Sequence, residues 1–248
     1  MDFGVLREEM VNSLTHETKE LVHTQRVMQA FREVPRHEFI DEGHRAYLDT
    51  SFEHRGTRVL SPSTAAKLIE ALAPRPGDST LVIGAGIGYT EAVIAEITGS
   101  KHVHAVDIDR QVVYDARSNL ESAGYGNVLV DRADGAGGLP AYAPFDRILI
   151  EAACVDLPDP LFEQVTEGGR LVFPRGNVNQ TLVAIEDDAQ VAEFGAVEFA
   201  PLLVEGEQKS TIERNRTIRE DQERAARAAK RRSGWERDWI DWDSSNEF

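Results

Sequence analysis

A chain of 248 residues, 41% of them apolar, is long enough for one α/β domain with a full core and too short for two large ones. Its formal charge of −16 argues against a broad phosphate-binding face, so nucleic acid is not an expected partner; it suits a concentrated-salt cytoplasm, where surface repulsion is screened within about 3 Å at molar salt. No apolar run long enough to span a membrane, no leader-like N-terminus and no cysteine besides Cys154 exclude a membrane span, a secretion signal, an internal disulfide and a cysteine-rich zinc site, and predict a cytoplasmic protein.

Residues 1–50 read as helices. Between 17 and 33, Leu21, Val22, Val27, Met28 and Phe31 recur close to helical spacing, and Val34-Pro35-Arg36 ends the run because a residue before proline disfavours the helical region. A further helix is predicted over 61–73: Ser61 or Ser63 can cap it, Pro62 suits its first turn, and Ala66, Leu68, Ile69 and Leu72 fill its apolar face. Pro74, Pro76 and Gly77 then break the chain.

From Ser79 onward strands alternate with helices. Strands are expected at 80–83, 102–106, 127–130, 147–150 and 169–174, with helices at 90–97, 112–123 and 161–165 between them. Segments 181–185 and 197–203 are expected to close the sheet as an antiparallel edge. Continuous apolar strands alternating with helices predict a mostly parallel, Rossmann-like α/β sheet covered on both faces. The organisation expected is an N-terminal helical cap at 1–74, an α/β core at 75–208 and a C-terminal extension at 209–248. That extension carries a charged helix candidate over 211–232 and then Trp235, Trp239 and Trp242, an apolar face that either folds back on the domain or docks a partner or a second copy.

Gly84-Ala85-Gly86-Ile87-Gly88-Tyr89 directly follows the first core strand and opens a helix. Glycines there let the chain turn tightly and let a ligand approach the main chain, while open helix-start amides favour a polar or anionic group. Asp107 ends the second strand about twenty residues on, where a carboxylate can accept hydrogen bonds from both hydroxyls of a ribose; the alternative is that Asp107 and Asp109 cap the helix starting near Arg110. Asp134-Gly135 follows the third strand and faces the same crevice. The candidate cofactor set is therefore Gly84, Ala85, Gly86, Gly88, Asp107, Asp134 and Gly135. Spacing alone does not separate S-adenosylmethionine (SAM) from NAD, since both carry an adenosine. The Gly-x-Gly-x-Gly turn differs from the Gly-x-Gly-x-x-Gly of dinucleotide sites and favours SAM. His37, His44, His54, His102 and His104 show no metal-ligand spacing with acids, so no metal is expected, and Cys154 reads as a small buried residue.

An ordered set of short motifs resembles the protein-L-isoaspartate O-methyltransferases over roughly residues 20–205. Val34-Pro35-Arg36-His37-Glu38-Phe39 is similar to that family's Val-Pro-Arg-x-x-Phe, and Ala46-Tyr47-x-Asp49 to its Ala-Tyr-x-Asp. Ile83 to Tyr89 resembles its SAM loop, and Asp134-Gly135-x-x-Gly138 its Asp-Gly-x-x-Gly. Ala143-Pro144-Phe145-Asp146, Ala152-Ala153, Gly168-Gly169-Arg170-Leu171-Val172-x-Pro174-x-Gly176 and Pro201-Leu202 continue in order.

The resemblance implies a class I methyltransferase fold and methyl transfer from SAM to the side-chain carboxylate of an isoaspartyl residue in a protein or peptide, a repair step. Such a carboxylate, with a pKa of about 4, is already ionised at neutral pH and needs no general base. Three departures bear on the site. The family's Gly-Gln-Thr-Ile-Ser-Ala-Pro-His, whose serine meets the reacting carboxylate, is here Gly56-Thr57-Arg58-Val59-Leu60-Ser61-Pro62-Ser63. Leu60 thus stands at the serine position, and a one-residue slip makes Ser61 the candidate catalytic residue unless it is only the helix cap. The family's acid in the strand before the SAM loop is here Val82, and Arg58 is new, either pairing with a substrate carboxylate or forming a surface salt bridge. These departures keep open a methyltransferase with another acceptor, or a low-activity binding protein acting through its tail.

Overall fold

The computed structural model describes residues 2–203 apart from 17, 18, 20, 55 and 188; the extension expected at 209–248, its tryptophans included, lies outside the described residues. Helix α1 (Phe3–Thr15) starts at Asp2, whose carboxylate accepts from the amides of Gly4 and Val5. Helix α2 (Gln25–Glu33) begins eight residues later than apolar spacing predicts. Its start is fixed by a tertiary contact: Glu70 of helix α3 (Pro62–Leu72) accepts from the amides of His23 and Thr24 at 2.9 and 2.8 Å and from the Thr24 hydroxyl at 2.8 Å. Those bonds hold the backbone of 23–24 extended, which local propensity does not anticipate. Two short 3₁₀ turns, Arg36–Glu38 and Gly43–Tyr47, then lead to an antiparallel pair, β1 (Phe52–His54) with β2 (Thr57–Val59).

The main sheet comprises β3 (Thr80–Ile83), β4 (Val103–Asp107), β5 (Leu129–Arg132), β6 (Phe145–Ile150), β7 (Val165–Arg175), β8 (Gln180–Glu186) and β9 (Ala189–Val197). Among the described residues it has seven strands in the order β5-β4-β3-β6-β7-β8-β9. The five strands from β5 to β7 run parallel, and β8 and β9 are antiparallel additions. Helices α4 (Tyr89–Thr98), α5 (Arg110–Ser122) and α6 (Asp159–Phe162) lie in the connections between the parallel strands. Alternate strand residues feed two cores. Val82, Ala105, Val130, Leu149 and Val172 pack with the residues of α1–α5, while Leu81, Ile83, Val106, Ile148, Ile150 and Leu171 pack with Leu161 and Leu202.

The closing strand corrects the expectation. It is Ala189–Val197, not 197–203, and it is a mostly exposed edge whose pairing is carried by main chain rather than apolar content. Phe199 and Leu202 are buried for another reason: their segment runs beside the chain leaving β6, with Ala153 donating to the Ala200 carbonyl at 2.8 Å and accepting from the Leu202 amide at 2.9 Å. Helix α6 is likewise shorter than 161–165, because Val165 already opens β7.

Candidate active site

Chain order reverses beside β3. From β3 the chain steps to β4 and β5 on one side, then returns to lay β6 on the other. The loops leaving β3 and β6 therefore diverge and leave a crevice at the carboxyl end of the sheet, where open α/β folds bind ligands. Both loops begin by continuing the sheet pairing: the Gly84 amide donates to the Val106 carbonyl and the Glu151 amide to the Ile83 carbonyl, each at 2.8 Å.

The turn after β3 is glycine-built for a local reason. Gly88 has φ 86°, and a Cβ there would stand 3.0 Å from Leu120 Cγ and 3.2 Å from the Ala116 carbonyl of α5. The turn thus packs flat on the neighbouring helix while its Ala85 and Gly86 amides face Asp107. Gly135 meets the same demand on the other flank, since a Cβ there would collide with Ile83 Cγ2.

Asp107 and Asp109 divide the two roles left open by the sequence. Asp109 caps α5, accepting from the Gln111 amide at 2.7 Å. Asp107, half-buried at the end of β4, instead accepts from the Asp109 amide at 2.9 Å. Burial pushes its carboxyl above the ordinary range, opposed by the Asp109, Gly86 and Ala85 amides, which favour the charged form. Asp134, after β5, caps the 3₁₀ turn Gly135–Gly137 by accepting from the Ala136 amide at 2.9 Å. The predicted cofactor residues thus fall at the carboxyl ends of three adjacent strands: Asp134-Gly135 beyond β5, Asp107 on β4, and Gly84, Ala85, Gly86 and Gly88 beyond β3.

Two acids were not singled out from the sequence. Glu151 immediately follows β6, and its Oε1 is sealed from solvent without a hydrogen-bond partner. Glu91, buried in the first turn of α4, likewise has an unpartnered Oε1. Burial pushes both carboxyls up, Glu151 to about 7, against the Thr90 hydroxyl that donates toward Glu151. The signal for Glu151 was present: Ile148-Leu149-Ile150-Glu151 ends an apolar strand in acid, as Ala105-Val106-Asp107 does.

The segment of residues 34–63 is organised by Arg36. Its buried guanidinium donates from Nε to the Ala46 carbonyl at 2.7 Å and from a terminal nitrogen to the Leu60 carbonyl, and it lies 4.4 Å over the Tyr89 ring. Burial holds its pKa below the ordinary arginine value, opposed chiefly by Tyr89. Three motifs far apart in sequence are thereby fastened to one side chain. Asp49 accepts from the Ser63 amide and hydroxyl at 2.9 and 2.6 Å and from Lys19 at 2.7 Å; burial pushes its carboxyl up, but these donors outweigh it and hold it low.

Leu60 is half-buried with its side chain against the helical-side core. Ser61 caps α3: its Oγ accepts from the Thr64 amide at 3.1 Å and lies 3.0 Å from Thr64 Oγ1. Capping uses an oxygen lone pair, so the Ser61 hydroxyl proton stays available to Thr64 or to an incoming carboxylate. Arg58 pairs with Glu198 and with the Ser51 hydroxyl, each at 3.3 Å. Beside Gly86, His54 and Thr57 of the β1–β2 hairpin line a notch with Val112, Asp115 and Asn119 of α5.

Known proteins share both the sequence pattern and the fold. The Protein-L-isoaspartate(D-aspartate) O-methyltransferase (PCMT) family matches residues 6–207. A Polaromonas protein-L-isoaspartate O-methyltransferase 1 is 38% identical over 203 residues, covering 77% of this chain and 85% of that protein. An Archaeoglobus fulgidus protein-L-isoaspartate O-methyltransferase 2 is 37% identical over 210 residues, covering 82% and 94%. A Plasmodium falciparum structure assigned as a protein-L-isoaspartate O-methyltransferase, in complex with S-adenosyl-L-homocysteine, shares the fold with a TM-score of 0.70 at 19% identity, covering 79% of this chain and 98% of that one. The mostly parallel sheet, the glycine turn at its switch point and these relatives place the chain in the protein-L-isoaspartate O-methyltransferase family, with a class I methyltransferase fold.

Proposed function

We propose that the protein methylates the side-chain carboxylate of isoaspartyl residues in proteins or peptides, with SAM as donor. The observation that carries this reading is the series of polar groups along one sheet edge, Asp134, Asp107 and the glycine turn, in the order an adenosyl ligand needs them. Asp107 would accept from the ribose hydroxyls, Asp134 would stand on the adenine side, and the turn from Gly84 to Gly88 would let the ligand lie against main chain. An unpartnered buried oxygen on Glu151 at the far end of the series fits a cationic ligand group. When bound, SAM supplies an electrophilic methyl group on a sulfonium centre.

The chain's own residues supply alignment and desolvation. Ser61, at the start of α3, donates a hydrogen bond to the acceptor carboxylate and orients it while keeping its lone pair on the Thr64 amide. Arg36 keeps that segment seated against the donor turn through Leu60 and Tyr89. Arg58, within 3.3 Å of Glu198 at the surface, can exchange that partner for an acidic group of a peptide.

The charge of −16 supports a high-salt cytoplasm as the working environment, and among the described residues no helix is long and apolar enough to cross a membrane. The tryptophans at 235, 239 and 242 support association of the C-terminal segment with a partner or a second copy.

The test is methyl transfer from labelled SAM to an isoaspartyl peptide and its aspartyl twin in molar KCl. Transfer selective for the isoaspartyl peptide is expected. SAM binding without transfer to either peptide would move the assignment to another acceptor, a reading that Leu60 at the serine position keeps in view.

A further inference from the structure

The crevice holds an acidic pair, Glu151 and Glu91, whose ligand group the roles above leave unnamed. Glu151 lies beyond the carboxyl end of β6, against the glycine turn: a Cβ on Gly84 would stand 3.4 Å from Glu151 Cβ. Glu91 projects from the first turn of α4, the helix that same turn opens. Each carries an Oε1 shut off from solvent with no donor. An acceptor left so is costly, and native proteins keep one mainly where something else completes it.

Position says what completes it. Neighbouring strands are about 4.8 Å apart, so Asp107 on β4 and Glu151 beyond β6 stand two spacings, about 10 Å, apart across the β3 turn. With the ribose at Asp107 and the adenine toward Asp134, the rest of the ligand must run the opposite way, over Gly84 and Gly86 to the mouth of β6. That end of SAM carries an α-ammonium group, a cation with N–H donors. The sulfonium is cationic too, but has no N–H and cannot fill a lone pair. We infer that Glu151, supported by Glu91, receives the α-ammonium group of the bound methionyl moiety and so fixes which end of the ligand faces the acceptor side.

This rests on the reading that the chain binds SAM. The groups facing Glu151 are the Thr90 hydroxyl and Glu91 carboxyl from α4, Asp107 from β4, and Arg36 from the 3₁₀ turn after α2. The two acids disfavour a second and third negative charge nearby, and burial adds to this, so the pair holds a proton until a cation arrives. An ammonium group then replaces that proton.

The experiment is calorimetric titration of the full-length chain and of Glu151→Gln with two nucleosides at pH 7.5. S-adenosylhomocysteine keeps the ammonium group and 5′-methylthioadenosine lacks the whole aminoacyl arm. For a charge-assisted bond, Glu151→Gln is expected to weaken S-adenosylhomocysteine about 10- to 100-fold and to leave methylthioadenosine within about twofold. Equal losses for both nucleosides, or none for either, overturn the inference. Should the variant not fold, the wild-type chain is titrated at pH 6.5 in two buffers of different ionisation enthalpy. Proton release with S-adenosylhomocysteine but not with methylthioadenosine supports it, and no difference between the two overturns it. A wild-type chain that binds neither nucleoside overturns the parent reading, and this inference with it.

Discussion

The donor edge of the sheet and the acceptor-side segment of residues 34–63 are built on opposite plans. At the donor edge, buried strands deliver short loops to one rim, and each polar group is placed by the strand that precedes it. The acceptor side is mostly irregular backbone, two 3₁₀ turns and a pair of three-residue strands, where one buried guanidinium ties together main chain that Phe39, Ile40 and Val59 anchor in the core. A strand fixes its neighbours through many small contacts, whereas Arg36 fixes them through two hydrogen bonds and one ring. The difference teaches where the molecule should fail first.

The largest effect is expected from Arg36→Met, which strands the Ala46 and Leu60 carbonyls in the interior. Loss of about 2–6 kcal/mol of stability should appear in chemical denaturation, and Arg36→Lys should not restore it, because one ammonium cannot reproduce the planar fork. At the donor edge, Asp107→Asn should leave the melting curve nearly in place and weaken S-adenosylhomocysteine binding about tenfold or more, as a hydrogen bond to a charged group would. An equal loss of stability would show that Asp107 is structural like Arg36, and would erase the contrast.

pH sharpens it further. Glu151 is pushed up to about 7 by burial, so in ligand-free protein the folded state keeps a proton that the unfolded chain has already lost. Stability from this group is therefore lost as pH rises from the ordinary carboxylate range to about 7, and is flat above it. Denaturation of Glu151→Gln should show a shallower fall over that window than wild type. Asp49 has the opposite sign: its carboxyl is held low, so its contribution is present above the ordinary aspartate value and disappears as pH falls below it.

Smaller effects separate cap from catalyst at Ser61. Ser61→Ala should cost about 1 kcal/mol through loss of the α3 cap. Ser61→Asn keeps a capping acceptor and should recover most of that stability; if methyl transfer stays low in both variants, the hydroxyl acts on the acceptor. The smallest change is expected from Arg58→Ala, within about 0.5 kcal/mol of wild type in stability because its ion pair is exposed. A raised KM for an acidic isoaspartyl peptide, with kcat unmoved, would mark Arg58 as a substrate contact.

Strands β3, β4 and β6 were legible because burial on both faces writes a continuous apolar run into the chain. The β1–β2 pair was not, since Phe52-Glu53-His54 and Thr57-Arg58-Val59 are too short to show a period. Strand β9 was misplaced because an edge strand needs no apolar content, while Phe199 and Leu202 are buried where their segment pairs with Ala153 beyond β6. In the site, the glycine turn and Asp107 were found by spacing. Glu151 escaped because the pattern followed the turn into the next strand and never crossed to β6, which neighbours β3 in space and lies far away in sequence.

Arg36 grips residue 60 by its main-chain carbonyl and leaves the side chain out of the bond. A clasp of that kind is indifferent to what the residue carries. A substitution at Leu60 can thus keep the segment tied to Arg36, so the surface this position offers can change while the main-chain clasp that seats it stays the same.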